Sequence, residues 1–174
     1  MAIRMIITLN DPQGHLLKTK AKKVTRFDAS LERLVKDLWE TMYDAPGVGL
    51  AAPQIAIPLR VLVAEYEDER AALVNPEILK MEGEELGTEG CLSIPDYVGK
   101  NIRRATKIVV KARNENGTPI KLTAEGWYAR VLQHEIDHLN GILYTDRLDS
   151  REDFVLVPPE EADEELAPAR KATV

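Results

Sequence analysis

An amphipathic pattern with helical spacing runs between residues 28 and 43. Apolar side chains recur every three or four residues, at Leu31, Leu34, Val35, Leu38, Trp39 and Met42. Either Asp28 or Ser30 can cap the first turn through its side-chain oxygen, and Pro46-Gly47 prevents the helix from continuing. The pattern therefore predicts an N-terminal helix, preceded by irregular chain over residues 1–26.

Shorter apolar segments in the middle of the chain predict β-strands. They lie at residues 60–65, 71–74, 78–86, 107–113 and 118–123. The last two segments flank Asn116-Gly117, a dipeptide typical of tight hairpin turns. An acidic turn joins the first two. These segments therefore predict antiparallel hairpins.

A second helical pattern extends from residue 125 to residue 140, and Gly141 stands where a helix-terminating glycine is expected. The order of helices and strands predicts an α+β fold. In this fold, short antiparallel strands and hairpins pack around the C-terminal helix, with the N-terminal helix beside them. Residues 1–157 are expected to form a single domain. Residues 158–174 are rich in Pro, Ala and Glu and predict a flexible acidic tail.

Composition narrows the possible partners and compartment. The 174 residues include 23 Lys plus Arg and 29 Asp plus Glu, a net charge of −6, so nucleic acid is not expected as the primary ligand. A single cysteine excludes an intramolecular disulfide. No apolar run approaches the ~20 residues that span a bilayer. The apolar stretch at the N-terminus is too short for a signal peptide. We therefore expect a cytoplasmic protein that does not bind membranes.

The sharpest motif is His-Glu-Ile-Asp-His at residues 134–138. On a helix, His134 and His138 lie four residues apart on one face, so both imidazoles can bind one metal ion. Glu135 lies beside them, where a carboxylate can exchange protons with a water on the metal. The motif therefore predicts a metal-dependent hydrolytic site on the second helix.

The motif alone leaves the third metal ligand open. Gly141 fits the longer His-Glu-x-x-His-x-x-Gly-x-x-His pattern, but Tyr144 stands where that pattern has its last histidine. His15 lies far away in a predicted surface turn. Cys91 lies in a turn-like segment between Gly90 and Pro95, and a Cys-His-His set with one open position is a known catalytic arrangement. Carboxylate candidates also remain, namely Glu152, Glu160, Glu161, Glu164 and Glu165.

A glycine-rich segment at residues 47–52, Gly-Val-Gly-Leu-Ala-Ala, matches the dinucleotide fingerprint G-x-G-x-x-A. That fingerprint requires a strand before it and a helix after it. Here a predicted helix precedes the segment and Pro53 follows it directly. The glycines instead favour an extended backbone that passes close to a ligand, or a tight packing corner.

Three segments together resemble the signature motifs of the peptide deformylase family. They are Gly-Val-Gly-Leu-Ala-Ala-Pro-Gln at 47–54, Glu-Gly-Cys-Leu-Ser at 89–93 and Gln-His-Glu-Ile-Asp-His-Leu-Asn-Gly at 133–141. The resemblance spans residues 3–150 and the spacing is similar to that of the bacterial form. It implies that residues 1–157 are a single catalytic domain. The implied reaction removes the formyl group from the N-terminal formyl-methionine of new polypeptides and releases formate.

The resemblance also implies a metal set and its partners. The ligands would be Cys91, His134 and His138, holding ferrous iron, for which zinc, nickel or cobalt can substitute. The partners would be formyl-methionyl nascent peptides, reached through a transient ribosome contact. A carboxylate hydrogen-bonded to a ligand often orients it. Glu89 is expected to be held by Arg103 or Arg104 and thereby to orient the Cys91 loop.

The same resemblance assigns the catalytic groups. Glu135 would take a proton from the attacking water and later deliver one to the leaving amine. The Gln54 side-chain amide and the Leu92 backbone N–H would stabilise the oxyanion together with the metal. The substrate backbone would pair with Val48-Gly49 as an added strand.

The methionine pocket is predicted from helical spacing. Trp127 and Val131 share a face with the two histidines, and Val48 is expected to form a second wall. Trp127 and Val131 are equally compatible with an ordinary core. Arg130 and Gly87 stand where family members often have apolar residues, so the limits of the pocket stay open.

Three other functions remain alternatives at this point. A zinc peptidase with a glutamate as third ligand would not need Cys91 for metal binding. A cysteine hydrolase with Cys91 as nucleophile would not be inhibited by a chelator. A non-enzymatic interaction module would not need Glu135.

Overall fold

The computed structural model describes residues 2–157. The tail predicted at residues 158–174 lies outside the described residues. Between residues 2 and 157, no helix combines the length and apolar character needed to cross a membrane. The described chain contains two α-helices and two antiparallel sheets, which confirms the predicted α+β class.

The first helix, α1, spans Ala29–Asp44. Asp28 rather than Ser30 caps it, because the Asp28 carboxylate accepts hydrogen bonds from the backbone N–H groups of Ser30 and Leu31 at 3.0 and 3.3 Å. The predicted apolar face is the face that packs on the sheet. Local periodicity was therefore sufficient to predict α1.

Eight strands follow in the described chain. They are β1 (Gly49–Ala51), β2 (Val61–Tyr66), β3 (Glu69–Glu82), β4 (Glu85–Cys91), β5 (Ile94–Arg104), β6 (Lys107–Arg113), β7 (Pro119–Glu125) and β8 (Phe154–Leu156). The larger sheet has the order β1-β2-β3-β6-β7, and β4, β5 and β8 form a smaller one. All neighbouring strands within both sheets are antiparallel.

Strand β3 differs from the sequence prediction. Residues 71–74 and 78–86 were expected to form two strands, yet β3 runs through Asn75-Pro76. The register shifts there, and Asn75 takes a positive φ of 52° while its side chain pairs with the Val24 backbone. The chain turns only at Gly83, where φ is 68°. The bulge absorbs a dipeptide that otherwise favours a turn.

The smaller sheet was not predicted as such. Strands β4 and β5 form a hairpin closed by Leu92-Ser93, with Cys91 paired to Ile94 at its tip. This turn confirms the turn-like setting expected for Cys91. The hairpin carries the cysteine towards the second helix.

The second helix, α2, spans Gly126–Leu139 and is buried along almost its whole length. Gly141 follows it with a φ of 72°, as expected for a glycine after a helix end. The larger sheet lies between the two helices, because alternate β2 side chains face opposite sides. Leu62 and Ala64 belong to the apolar core cluster between the sheet and α2, the cluster under α2. Val61 and Val63 belong to the apolar core cluster between the sheet and α1, the cluster under α1.

Candidate metal centre

Three metal-ligand side chains converge at one point between α2 and the tip of β4. His134 and His138 lie one turn apart on α2 and are 2% and 1% exposed. The Cys91 Sγ atom lies 3.3 Å from His138 Nε2. The donor atoms of all three residues lie within 4.8 Å of one another, and within residues 2–157 no other such group of potential ligands forms.

The other candidates for the third ligand do not reach this point. His15 is exposed in a 3₁₀ turn at Gly14–Lys18, and Glu152 is exposed at the surface. Glu160, Glu161, Glu164 and Glu165 lie outside the described residues. Of the described candidates, Cys91 alone joins the two histidines.

Burial sets the protonation of these donors. It lowers the pKa of His138 well below the usual histidine range, and the neighbouring His134 acts in the same direction. Burial also raises the pKa of the Cys91 thiol to about 12, against hydrogen bonds from the Ser93 and Ile94 backbone amides. A neutral imidazole can bind a metal directly, whereas the thiol must lose its proton to do so.

A buried carboxylate orients His134. Glu89 Oε1 lies 2.8 Å from His134 Nδ1, which leaves Nε2 as the ring nitrogen without a hydrogen-bond partner among the described residues. Burial acts to raise the pKa of Glu89, but hydrogen bonds from Arg104 and His134 outweigh it and hold that pKa well below its usual range. An orphaned, buried Nε2 beside a thiol and a second imidazole is what a metal-binding set requires, so these residues fit a divalent ion.

Arg104, and not Arg103, holds Glu89. Its guanidinium makes two 2.8 Å hydrogen bonds to the Glu89 carboxylate, and a third, of 2.6 Å, to Asp137. Arg147 donates to both oxygens of Asp137 and shares Oδ2 with Arg104. Arg103 points outwards to Glu84 and Asp149. The sequence alternative between the two arginines is thereby resolved.

Glu135 lies against β1. It is 0% exposed, and neither carboxylate oxygen has a hydrogen-bond partner in the described chain. A Cβ atom on Gly49 would stand 2.5 Å from Glu135 Oε1, so the glycine makes the room that the carboxylate occupies. Burial raises the pKa of Glu135 well above the usual range, and the nearby charge of Glu89 adds to the effect.

Gln54 approaches the same point from the other side. Its Nε2 lies 3.7 Å from Cys91 Sγ and 3.3 Å from Ser93 Oγ, while its Oε1 accepts from the Ala51 backbone N–H at 2.9 Å. Leu92 follows Cys91 directly in the hairpin turn. The predicted oxyanion groups thus belong to the segments that surround the cysteine.

The predicted pocket residues belong to one apolar cluster. Val48 and Val131 are buried members of the cluster under α2, and Trp127 packs against it with its ring 5.6 Å from the Arg130 guanidinium carbon. Val131 is 0% exposed, as a core residue would be. A pocket role and a core role are both compatible with this packing.

Sequence reasoning assigned no role to several polar residues around the centre. Arg130 binds Glu89 Oε2 at 2.8 Å, Asp137 joins Arg104 to Arg147, and Ser93 accepts from Gln54. Arg130 stands four residues before His134, so a cation on the histidine face of α2 was the available signal. Partners of such a residue lie in distant strands and cannot be located from helical spacing.

The fold and the site define a metal-dependent hydrolase of the His-Glu-x-x-His class, with a cysteine completing the candidate ligand set. Comparison with known proteins identifies the family. The polypeptide deformylase family model matches residues 3–154. The chain belongs to the peptide deformylase family, whose members remove the N-formyl group from nascent polypeptides in a metal-dependent reaction, and this chain carries out that reaction.

Similar sequences and structures agree with this assignment. The chain is 50% identical over 145 residues to a peptide deformylase of Dictyoglomus thermophilum, covering 83% of this chain and 92% of that one. It is 42% identical over 182 residues to that of Thermomicrobium roseum, covering 99% and 100%. The crystal structure of the Thermotoga maritima enzyme is 41% identical, with a TM-score of 0.81 over 86% of this chain and all of that one.

One similar structure carries a peptide. The peptide deformylase of Acinetobacter baumannii was crystallised with Met-Ala-Ser bound. It is 33% identical to this chain, with a TM-score of 0.78, and covers 84% of this chain and 99% of that one.

Proposed function

We propose that Cys91, His134 and His138 bind one ferrous ion in the native enzyme, with zinc, nickel or cobalt able to substitute. The observation that carries this proposal is the convergence of a buried thiol and two imidazoles within 4.8 Å beside an unpartnered glutamate. Mixed sulfur and nitrogen ligands accept several divalent metals. When bound, the metal serves as a Lewis acid that lowers the pKa of a coordinated water and polarises the formyl carbonyl.

Glu135 is the general base and acid of the proposed mechanism. Its carboxylate accepts a proton from the water that attacks the formyl carbon, and then donates a proton to the peptide nitrogen as the C–N bond breaks. The products are formate and a free N-terminal amine. Support comes from its position next to His134 and from its two unpartnered oxygens, which leave it available to a water and a substrate.

Gln54 and Leu92 stabilise the oxyanion that forms on the formyl oxygen. The Gln54 amide nitrogen lies close to Cys91 and Ser93, and the Leu92 backbone N–H belongs to the same turn. Donors that are fixed before the reaction stabilise developing charge without reorganising. Because Ala51 N–H holds Oε1 of Gln54, its NH₂ group is directed to the cysteine side.

The substrate binds as an additional strand against Val48-Gly49. Strand β1 is an edge of the larger sheet and pairs only with β2 in the described chain. An extended peptide can therefore add to it through backbone hydrogen bonds. Val48, Trp127 and Val131 form the methionine pocket in this proposal, since they share the apolar cluster beside α2. The Met-Ala-Ser peptide bound by the Acinetobacter baumannii relative has the form of a deformylated product.

Residues 1–157 act as a single catalytic domain in this proposal. In the same proposal, its partners are formyl-methionyl nascent peptides, which it meets in the cytoplasm through a transient ribosome contact. The net charge of −6 gives no electrostatic support for RNA as a primary ligand.

The test is formate release from a short formyl-methionyl peptide. The full chain is purified without oxygen, since a thiolate ligand is open to oxidation, and is reconstituted with ferrous iron. We expect turnover by the wild type and a loss of about 10²–10⁴-fold in kcat for Glu135→Ala, the range typical of a general base. Unchanged turnover by a folded, metal-loaded Glu135→Ala variant would remove Glu135 from the mechanism.

A further inference from the structure

Arg130 connects the metal-bearing helix to the smaller sheet. It lies on α2 one turn before His134 and is only 1% exposed. Its Nη1 donates to Glu89 Oε2 at 2.8 Å and to the Ile102 carbonyl at 3.0 Å, and its Nη2 donates to the Glu85 carbonyl at 3.2 Å. One guanidinium therefore holds three points on β4 and β5 relative to α2.

Gly87 makes this position available. A Cβ atom at residue 87 would lie 2.7 Å from Arg130 Cζ and 2.8 Å from Nη2, closer than real Cβ contacts allow. Any larger residue at 87 would have to displace the guanidinium from its place beside Glu89. The position of the Arg130 guanidinium therefore depends on a glycine at residue 87, in a distant part of the chain.

Arg104, the other arginine that binds Glu89, also binds a second carboxylate. Arg104 uses Nε and Nη2 for Glu89, but its Nη1 binds Asp137, which Arg147 also holds. Among the residues described, Arg130 has Glu89 as its one carboxylate partner. Since Glu89 Oε2 receives Arg104 and Arg130 while Oε1 receives Arg104 and His134, both oxygens are fixed.

We infer that Arg130, seated against Gly87, is a positioning residue that fixes the Glu89 carboxylate and, through it, the direction of His134 Nε2. Groups behind a metal ligand commonly change metal affinity by about 10- to 100-fold. This inference rests on the metal set proposed above. It adds to that set a buried cation that is not itself a ligand and acts on His134 through Glu89.

Cobalt binding by the full-length, metal-free protein provides the test. A thiolate ligand gives Co²⁺ a charge-transfer absorption, and the visible bands report the ligand geometry. The wild type should show the charge-transfer band, and Cys91→Ser should lack it. If the wild type itself shows no Cys91-dependent band, the proposed metal set fails, and the role of Arg130 falls with it.

Once the wild type shows the Cys91-dependent charge-transfer band, Arg130→Met is compared with it. We expect about 10- to 100-fold weaker Co²⁺ binding and shifted visible bands, with partial recovery in Arg130→Lys. Arg103→Met is the matched control, because Arg103 adjoins Arg104 but pairs at the surface with Glu84 and Asp149. It should bind Co²⁺ as the wild type does. Wild-type affinity and spectrum in Arg130→Met would overturn the inference.

A double-mutant cycle with Gly87 sharpens the result. If Gly87→Ala acts by displacing the guanidinium, it should weaken Co²⁺ binding in the wild type but add nothing to Arg130→Met. Fully additive losses would overturn the coupling between the two residues. Where Arg130→Met does not fold, Gly87→Ala and Arg130→Lys carry the same test, and wild-type Co²⁺ spectra and affinities in both would contradict the inference.

Discussion

The two faces of the larger sheet differ in the polarity of the side chains that they bury. The face under α1 is an apolar core, in which Leu34, Leu38 and Met42 pack on Val61 and Val63. The face under α2 also has an apolar cluster, but that helix buries six polar side chains as well, namely Arg130, Gln133, His134, Glu135, Asp137 and His138. Side-chain packing stabilises the first face. The second depends on the pairing of the buried arginines with Glu89 and Asp137, while Glu135 stays without a partner in the described chain.

The two faces should therefore respond differently to substitution. Substitutions under α1 should change the free energy of unfolding and leave turnover intact. Substitutions under α2 should change turnover, metal binding or both, since paired charges there orient reacting groups.

Glu89→Gln should have the largest effect on stability. Removing the carboxylate charge leaves the Arg104 and Arg130 guanidinium groups buried together, and breaking a buried pair costs about 3–5 kcal/mol. Urea unfolding of the metal-free protein measures it. Glu84→Gln, at an exposed pair with Arg103, should change the free energy of unfolding by no more than about 0.5 kcal/mol. Equal values for the two variants would contradict the account of the α2 face.

Leu38→Ala should destabilise the α1 face without touching the chemistry. Leu38 is fully buried in the cluster under α1, and its truncation costs about 2–5 kcal/mol. Leu79→Ala is the control, because Leu79 is exposed on β3. At temperatures where the variant is folded, kcat/KM should equal that of the wild type. A large fall in kcat/KM would mean that the two faces are coupled.

Gly49→Ala should reduce turnover while changing the free energy of unfolding little. The added methyl group would meet Glu135 Oε1 at 2.5 Å, so the carboxylate must move away from its place. Displacement of a reacting group by about 1 Å can cost roughly 10²-fold in rate. We expect that loss in deformylation, measured by formate release, with unfolding in urea changed far less than in Leu38→Ala. Undiminished turnover would show that the position of Glu135 is not critical.

Asp37→Asn should have the smallest effect. Asp37 is a buried acidic residue of α1 that binds the Ala2 backbone N–H and the Arg4 side chain at 2.8 Å each. Because the Arg4 side chain is half exposed, removal of the Asp37 charge should cost only about 1 kcal/mol, the upper end for a solvent-exposed ion pair. Urea unfolding at neutral pH measures this cost.

The same variant has a defined pH dependence. Burial acts to raise the pKa of Asp37, but the hydrogen bonds from Arg4 and Ala2 lower it below its ordinary value. The stabilisation is therefore complete above the unfolded-state pKa of about 4 and is lost as the pH falls through the lower folded-state pKa. The difference between wild type and Asp37→Asn should shrink in acid. A difference that grows in acid would contradict this sign.

The same contrast explains what sequence could predict. Helix α1 and the hairpin of β6 and β7 follow local rules of spacing and turn chemistry, so they were found with small errors at their ends. The β4–β5 hairpin was missed because its buried positions include Glu89 and Arg104, which break the alternation that identifies a half-buried strand.

The site divides in a similar way. Cys91, His134, Glu135 and His138 were predicted because short motifs place these residue types at fixed spacing. The partners that hold them were not, since Arg130 meets Glu89 across 41 positions of sequence. Charge pairing between residues so far apart in sequence produces no periodic pattern. These contacts could therefore be identified only from the structure.

The most direct test of the account is a titration of the metal-free protein with ferrous iron, without oxygen, while formate release from a formyl-methionyl peptide is followed. The account predicts that turnover is absent without metal and rises in proportion to added iron until one ion per chain is bound. Cys91→Ala should stay inactive over the same range. Full turnover by the metal-free protein, or recovery of the Cys91→Ala variant at one ion per chain, would contradict a metal centre built from Cys91, His134 and His138.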